Sequence, residues 1–236
     1  MVGSIEVLAF TAVSLGVLHT VTGPDHYIPF VAMAEARKWS LAKTMYITFV
    51  SGLGHILSSV VIGFVGIMIG SSLEKLKMIE SVRGDFAAWL MIVFGLVYLI
   101  YGIKKAVRND NHEHKHFHLD NLLHSHEHSH HGEHLHPHAK GKKDITAWVI
   151  FTLLAFGPCE PLIPILIIPA LKNSVLNTVI ITGLFGIATI TTMLIVVSLL
   201  YFGVKKTMSE KLFRFNHAIA GSAILMSGLA VKVFGL

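Results

Sequence analysis

Long apolar runs alternate with short polar stretches along this chain. Six runs, at 5–22, 41–70, 86–103, 145–171, 175–204 and 213–234, are long enough to cross ~30 Å of hydrocarbon at ~1.5 Å per residue. Between the third and fourth runs lies a polar segment in which histidine recurs every few residues. The pattern predicts an all-α integral membrane protein with six transmembrane helices. Residues 1–107 form a first three-helix unit, 108–143 a histidine-rich loop with too little apolar surface to pack, and 144–236 a second three-helix unit. The first run lacks the basic flank and small-residue cleavage site of a signal peptide, so it is expected to stay in the mature protein.

Composition fits this reading. Hydrophobic residues make up 53% and charged residues only 14%, and the mean hydropathy is +0.65, values foreign to a soluble domain. The net charge of +5 invites a nucleic-acid partner, but the basic residues flank the apolar runs and report membrane topology instead. Arg37, Lys38, Lys43, Lys104, Lys105, Arg108, Lys115, Lys140, Lys142, Lys143, Lys205, Lys206, Lys211 and Arg214 share one side, while Lys75, Lys77, Arg83, Lys172 and Lys232 fall on the other. Both termini are therefore expected outside a cell (cytoplasmic) membrane and the histidine-rich loop in the cytoplasm. The single cysteine, Cys159, excludes an internal disulfide or a dithiol pair within the chain.

The two halves resemble each other at an offset of about 133 residues. "GPDH" at Gly23–His26 answers "GPCE" at 157–160, "SGL" at 51–53 answers "TGL" at 182–184, and "GLVYLIYG" from Gly95 answers "GLAVKVFG" from Gly228. With three helices in each half, the second copy enters the membrane from the opposite face. That is the inverted-repeat plan of many secondary transporters, whose sites lie near the midplane where broken helices meet. The breaks have a local cause. Pro24 has no N–H for the carbonyl of Thr20, nor Pro158 for that of Leu154, so each first helix is interrupted. Freed backbone groups are tolerated at that depth only where protein or a water-filled cavity covers them.

Ionisable residues collect at the breaks. His19, Asp25 and His26 surround the first; His55 follows two glycines on the next span; Cys159 and Glu160 stand at the second break, with Thr182, Thr189 and Thr192 on the fifth span. A lone buried histidine is ordinarily a hydrogen-bonded core residue, an account that does not extend to three at membrane depth beside an aspartate. Imidazoles with a carboxylate suit nickel, cobalt, zinc and ferrous iron. The candidate metal ligands are His19, Asp25, His26, His55 and Glu160. His217, beside Arg214, is placed at the membrane interface. A secondary, looser metal-binding set is the loop: His112, His114, His116, His118, His124, His126, His128, His130, His131, His134, His136 and His138. "HEHKH" and "HEHSH" in that tract match the zinc-protease pattern, but that chemistry needs an ordered helix, a third ligand and a walled cleft. No serine-nucleophile or nucleotide-binding motif is present, and the chain is read as a non-enzyme without a resident cofactor.

The stretches "GVLHTVTGPDHYIPF" and "SGLGHILSSVVIG", with the histidine-rich loop, resemble the nickel/cobalt transporters of the NicO and NiCoT group, the short UreH-like members and the efflux branch in particular. Five residues rather than the four of the uptake branch separate His19 from Asp25-His26. "FGPCEP" also resembles sulfite-exporter and cytochrome-biogenesis relatives. The resemblance implies a secondary transporter moving Ni²⁺ or Co²⁺, with the bilayer and the ion as its partners and a second copy of the chain or a metallochaperone as the protein partner. Two alternatives stay open. One is an exporter of small sulfur-containing anions, which would place Lys or Arg within the spans, where only Lys232 qualifies, near an end. The other is a membrane-anchored metal buffer that delivers metal through its loop.

Overall fold

The computed structural model describes residues 5–70, 72–108, 114–117, 123–126, 145–170, 174–207 and 210–235. The first apolar run is α1 (Ile5–Thr22), followed by a 3-10 turn (Pro24–His26) and α2 (Ile28–Ala36). Two long helices complete the first half, α3 (Leu41–Met68) and α4 (Leu73–Val107). The second half consists of α5 (Ile145–Ala155), α6 (Leu162–Ala170), α7 (Val175–Thr207), the single turn α8 (Glu210–Phe213) and α9 (Asn216–Phe234). Serines cap the long helices of the first half: Ser40 accepts from the Lys43 N–H at 3.2 Å, and Ser72 from that of Lys75 at 3.4 Å. Gly235, in the left-handed conformation (φ 65°), closes α9.

The protein is a nearly all-helical, multi-pass membrane protein. Among the described residues, five helices are long and apolar enough to cross a bilayer: α1, α3, α4, α7 and α9. The fourth run, 145–171, is interrupted as Pro158 predicts, and neither piece is long enough to span alone. It divides into α5 and α6 at 156–161, because Pro158 removes a helical donor. The bounds of two other spans are extended by the structure. The first span continues past its break into α2, and the third begins at Leu73 rather than at 86, since the capped but charged stretch 73–85 is already helical. At most 39% of the apolar window of any long helix is buried. Phe10, Leu18, Phe64, Met68, Val97 and Leu199 therefore face outward, as a lipid-facing surface requires and a water-facing one does not allow.

Each half runs in the same order, an interrupted helix and then two long ones. The packing repeats this order. α4 lies on α9 and α3 on α7, while α1 on α7 is matched by α5 on α3, α2 on α9 by α6 on α4, and α2 on α7 by α6 on α3. Lipid tails are as apolar as leucine, so such contacts rely on close packing and hydrogen bonds more than on withdrawal from water. The α4–α9 seam shows this directly. Methyl groups placed on Gly95 or Gly102 would overlap the backbone of Leu225 or Ala218, and one on Gly221 the backbone of Leu99. A second contact holds the far end of the seam: His217 Nε2 accepts from Lys105 Nζ at 3.0 Å, and its Nδ1 lies 2.8 Å from the Tyr98 hydroxyl. His217 is thus buried in a hydrogen-bonded contact rather than spread on an interface.

Of the loop 108–143, β1 (His114–Phe117) and β2 (Leu123–His126) form an antiparallel hairpin in which His114 is opposite His126 and His116 opposite His124. His112, His118, His128, His130, His131, His134, His136 and His138 lie outside the described residues.

Candidate metal site between two helix breaks

The first break folds on itself. Gly23 N–H donates to the His19 carbonyl at 3.0 Å, ending α1, and the His26 N–H returns to the Gly23 carbonyl at 3.2 Å. The turn swings Asp25 and His26 inward, where they are 6% and 1% exposed. Both side chains fold back over Gly23, where a methyl would overlap the His26 ring. His26 Nδ1 faces two acceptors, the Gly23 carbonyl at 3.2 Å and Asp25 Oδ1 at 3.1 Å. Nδ1 must therefore carry the proton. Its Nε2 is left as a bare lone pair, buried and without a partner.

The second break supplies the same service to a different histidine. Pro158 cannot donate to the Leu154 carbonyl, which instead accepts from the Gly157 N–H at 2.9 Å and from His55 Nδ1 at 3.0 Å. The tautomer of His55 is set in the same way, and its Nε2 is likewise buried without a partner. Beside them His19, in the last turn of α1, is partly exposed, and its Nε2 also has no partner. The ring centroids are 4.7 Å apart for His19–His26, 5.0 Å for His26–His55 and 6.1 Å for His19–His55. One ring nitrogen from each of the three can be chosen so that all lie within 4.8 Å of one another.

Three unsatisfied imidazole nitrogens in one cluster of a protein interior are costly unless something accepts their lone pairs. A dication does so. With metal–nitrogen bonds of ~2.1 Å and tetrahedral angles, three ligand nitrogens sit about 3.4 Å apart, so closing on an ion asks a shift of roughly 1 Å. Asp25 acts from behind: its carboxylate holds the N–H of His26, the carboxylate–histidine arrangement that orients a ligand and raises its basicity.

The structure thus brings together His19, His26 and His55 and sets the other two expected ligands apart. Asp25 supports His26, and Glu160 lies exposed on the wall of a cleft of about 300 Å³, outside the three-histidine group. His19, Thr22, Asp85 and Lys232 line the same cleft, so His19 joins open space to the buried pair. On α7, Phe185 stacks near His19 with centroids 6.5 Å apart, and the buried hydroxyls of Thr182 and Thr189, one turn to either side, have no partner. Thr192 instead donates to the Ala188 carbonyl at 2.7 Å.

Sequence reasoning missed a second buried cluster. Glu80 is fully buried, and Arg83 one turn along α4 contacts it at 2.8 Å. Arg83 also donates to the Gly157 carbonyl at 2.7 Å, to Ser59 and, at 3.3 Å, to Ser58. Ser58 donates to the Ala155 carbonyl at 2.8 Å, and Glu80 accepts the Cys159 N–H at 3.2 Å. Backbone groups released by the second break are therefore met by side chains of α3 and α4. Arg83, expected in an outer loop, is inside the protein, so Lys232 is not the sole basic residue within the helices. Lys232 pairs with Asp85 at 2.6 Å. The missed signal was the Glu–Arg pair at i,i+3 behind a serine cap, "SSLEKLKMIESVR".

Comparison with known proteins assigns the chain a family. Residues 26–230 match the model of the cytochrome c biogenesis protein transmembrane region, and the chain belongs to that family. No curated protein and no solved structure matches it significantly. The family match corrects the resemblance to nickel/cobalt transporters. That likeness rests on two short stretches around helix-breaking and metal-binding residues, which similar local chemistry can produce in unrelated chains, whereas the family match runs from α2 through α8 and into α9. His26 and His55 fall inside the matched region; His19 and Asp25 precede it.

Proposed function

We propose that this member of the cytochrome c biogenesis transmembrane family carries a transition-metal ion across the membrane through the three-histidine site. The observation that supports the reading above others is that His19, His26 and His55 each have a buried Nε2 without a partner and can each bring one ring nitrogen within 4.8 Å of the other two. Neutral imidazole is the ligand of nickel, cobalt, zinc, copper and ferrous iron; magnesium and calcium require oxygen. The substrate class is therefore a borderline first-row metal ion, and the choice among these metals rests on measurement rather than on motif likeness.

The surroundings suit a carried ion better than a permanent one. The group is slightly open, it joins a cleft through His19, and three neutral ligands offset little of a dication's charge, with only the Asp25 carboxylate nearby. Release is then attainable. The paired order of the helices supports an inverted arrangement of two three-span units, with the site between their two breaks. In this arrangement both termini face outward and the histidine-rich loop gathers metal in the cytoplasm. Arg83 does not favour an anion substrate, since its two terminal nitrogens are already engaged by Glu80, Ser58, Ser59 and the Gly157 carbonyl.

The test is flux and equilibrium binding of Ni²⁺, Co²⁺, Zn²⁺ and Cu²⁺ with the purified chain in proteoliposomes, for wild type, His26→Ala and His55→Ala, each lacking residues 112–138 so that the loop does not compete. Wild type should bind and transport at least one of these ions, and both variants should lose that binding while still inserting. Equal affinity in all three proteins would remove the site.

A further inference from the structure

We infer that Glu80 is the proton-binding group that couples metal movement to a proton gradient, so that the chain exchanges metal for protons. This rests on the metal-transport reading and extends it to the driving ion.

The argument starts from what holds the second break. Four backbone groups between 154 and 159 are fixed from outside: the Leu154 carbonyl by His55, the Ala155 carbonyl by Ser58, the Gly157 carbonyl by Arg83 and the Cys159 N–H by Glu80. One short segment therefore joins a metal ligand to a buried carboxylate. Glu80 Oε2 carries the load, contacting Arg83, the Cys159 N–H and, at 3.5 Å, Ser59. Its other oxygen, Oε1, is buried with no partner, as is Arg83 Nε. A carboxylate inside the membrane with an oxygen free to take a proton is the usual element of proton-coupled transport. Its neighbours Ser81 and Gly84 line the 300 Å³ cleft, a route for the proton to and from water.

Protonation and metal binding then oppose each other in two ways. A proton on Glu80 cancels the charge that neutralises Arg83, leaving a net positive charge next to the site and repelling a dication. It also weakens the hold on the Gly157 carbonyl and the Cys159 N–H, loosening the segment whose Leu154 carbonyl orients His55. Loss of the proton restores both. Metal and proton are thus bound in turn, the requirement for exchange. The other groups around Glu80 do not duplicate this role. Asp85 on the same helix is bonded to Lys232 of α9; α5 and the described part of α6 carry no ionisable side chain; α3 presents Ser58, Ser59 and, one turn away, His55; and the break adds the buried Cys159 and the exposed Glu160.

The experiment uses the full chain in proteoliposomes holding a pH-sensitive dye, with Ni²⁺, Co²⁺ and Zn²⁺ in turn. In wild type, an imposed metal gradient should move protons the opposite way, and an imposed pH gradient should drive metal uphill. Glu80→Gln should lose pH-driven flux by more than tenfold and bind metal more weakly, yet keep metal-for-metal exchange at saturating metal. The double variant Glu80→Gln with Arg83→Gln, lacking the uncompensated charge, should regain metal affinity without regaining proton coupling. Metal exchange without proton movement in wild type, or intact coupling in either variant, overturns the role of Glu80 and leaves the metal site standing. Absence of both binding and exchange in wild type refutes the transport reading, and the coupling with it.

Discussion

His55 Nδ1 lies 3.0 Å from the carbonyl oxygen of Leu154, ninety-nine positions later in the chain. That carbonyl is available because Pro158 denies it a helical partner. A break in one half of the protein therefore orients a ligand in the other. Pro158→Ala, by allowing the helix to re-form, should offer Leu154 an N–H from within its own helix and leave His55 free to rotate. Metal affinity should fall ~10–100-fold, the cost typical of losing a partner behind a ligand, although no ligand is touched. Titration calorimetry on the loop-deleted protein reads this, and an unchanged affinity would show that His55 needs no such anchor.

Asp25 and Glu160 are the carboxylates of the two breaks, one buried and one exposed, and should differ in effect. Asp25→Asn removes the negative acceptor of the His26 N–H and should also cost ~10–100-fold in affinity. Glu160→Gln, on the cleft wall, should leave affinity nearly unchanged and lower only the rate of capture at low ionic strength. Comparable losses in the two variants would mean that Glu160 reaches the ion.

Deleting 112–138 should leave a folded transporter whose maximal flux is intact but whose capture at scarce metal is weaker. Metal held by the tract should also be released as pH drops through the ordinary imidazole range near ~6.5, because a protonated ring cannot coordinate. Flux at saturating metal decides the matter: its loss on deletion would make the loop part of the transport path.

Orientation follows from the asymmetry of basic residues. Cysteines introduced at the termini should react with a membrane-impermeant reagent in intact cells, and those introduced in the loop should not. The reverse pattern would invert the topology.

At Gly221 a methyl would overlap the backbone of Leu99, whereas at Gly183 nothing lies within 4 Å. Gly221→Ala should therefore destabilise the protein by about 1–3 kcal/mol, the usual cost of overpacking, and Gly183→Ala should not. Thermal unfolding in detergent compares the two, and equal midpoints would show that α4 and α9 are less tightly apposed.

Much of this was visible in the sequence because its causes are local. The run 5–22 is α1 to the residue, and prolines 24 and 158 interrupt helices as their missing donors require. The three histidines that converge are all named by their position near breaks or glycines. What was hidden depends on averaging or on distance. Hydropathy rejects the charged start of α4, so Arg83 reads as an outer-loop residue and Glu80 goes unnoticed. Glu160 shares a motif position with His26, but the motif does not specify that one side chain turns toward the interior and the other toward the cleft. The nickel/cobalt likeness failed for a related reason: two short stretches record the chemistry of a break, and the match over 26–230 records descent.

Where the glycines of α4 and α9 bring two backbones into contact, neither helix can slide or rock against the other without first being prised apart. The pair behaves as a single strut running the depth of the protein. Any rearrangement that opens the histidine site first to one side and then to the other must take place around that strut, among α1, α3, α5 and α7. A covalent tie between α4 and α9 would therefore leave turnover running, and one between α1 and α7 would stop it.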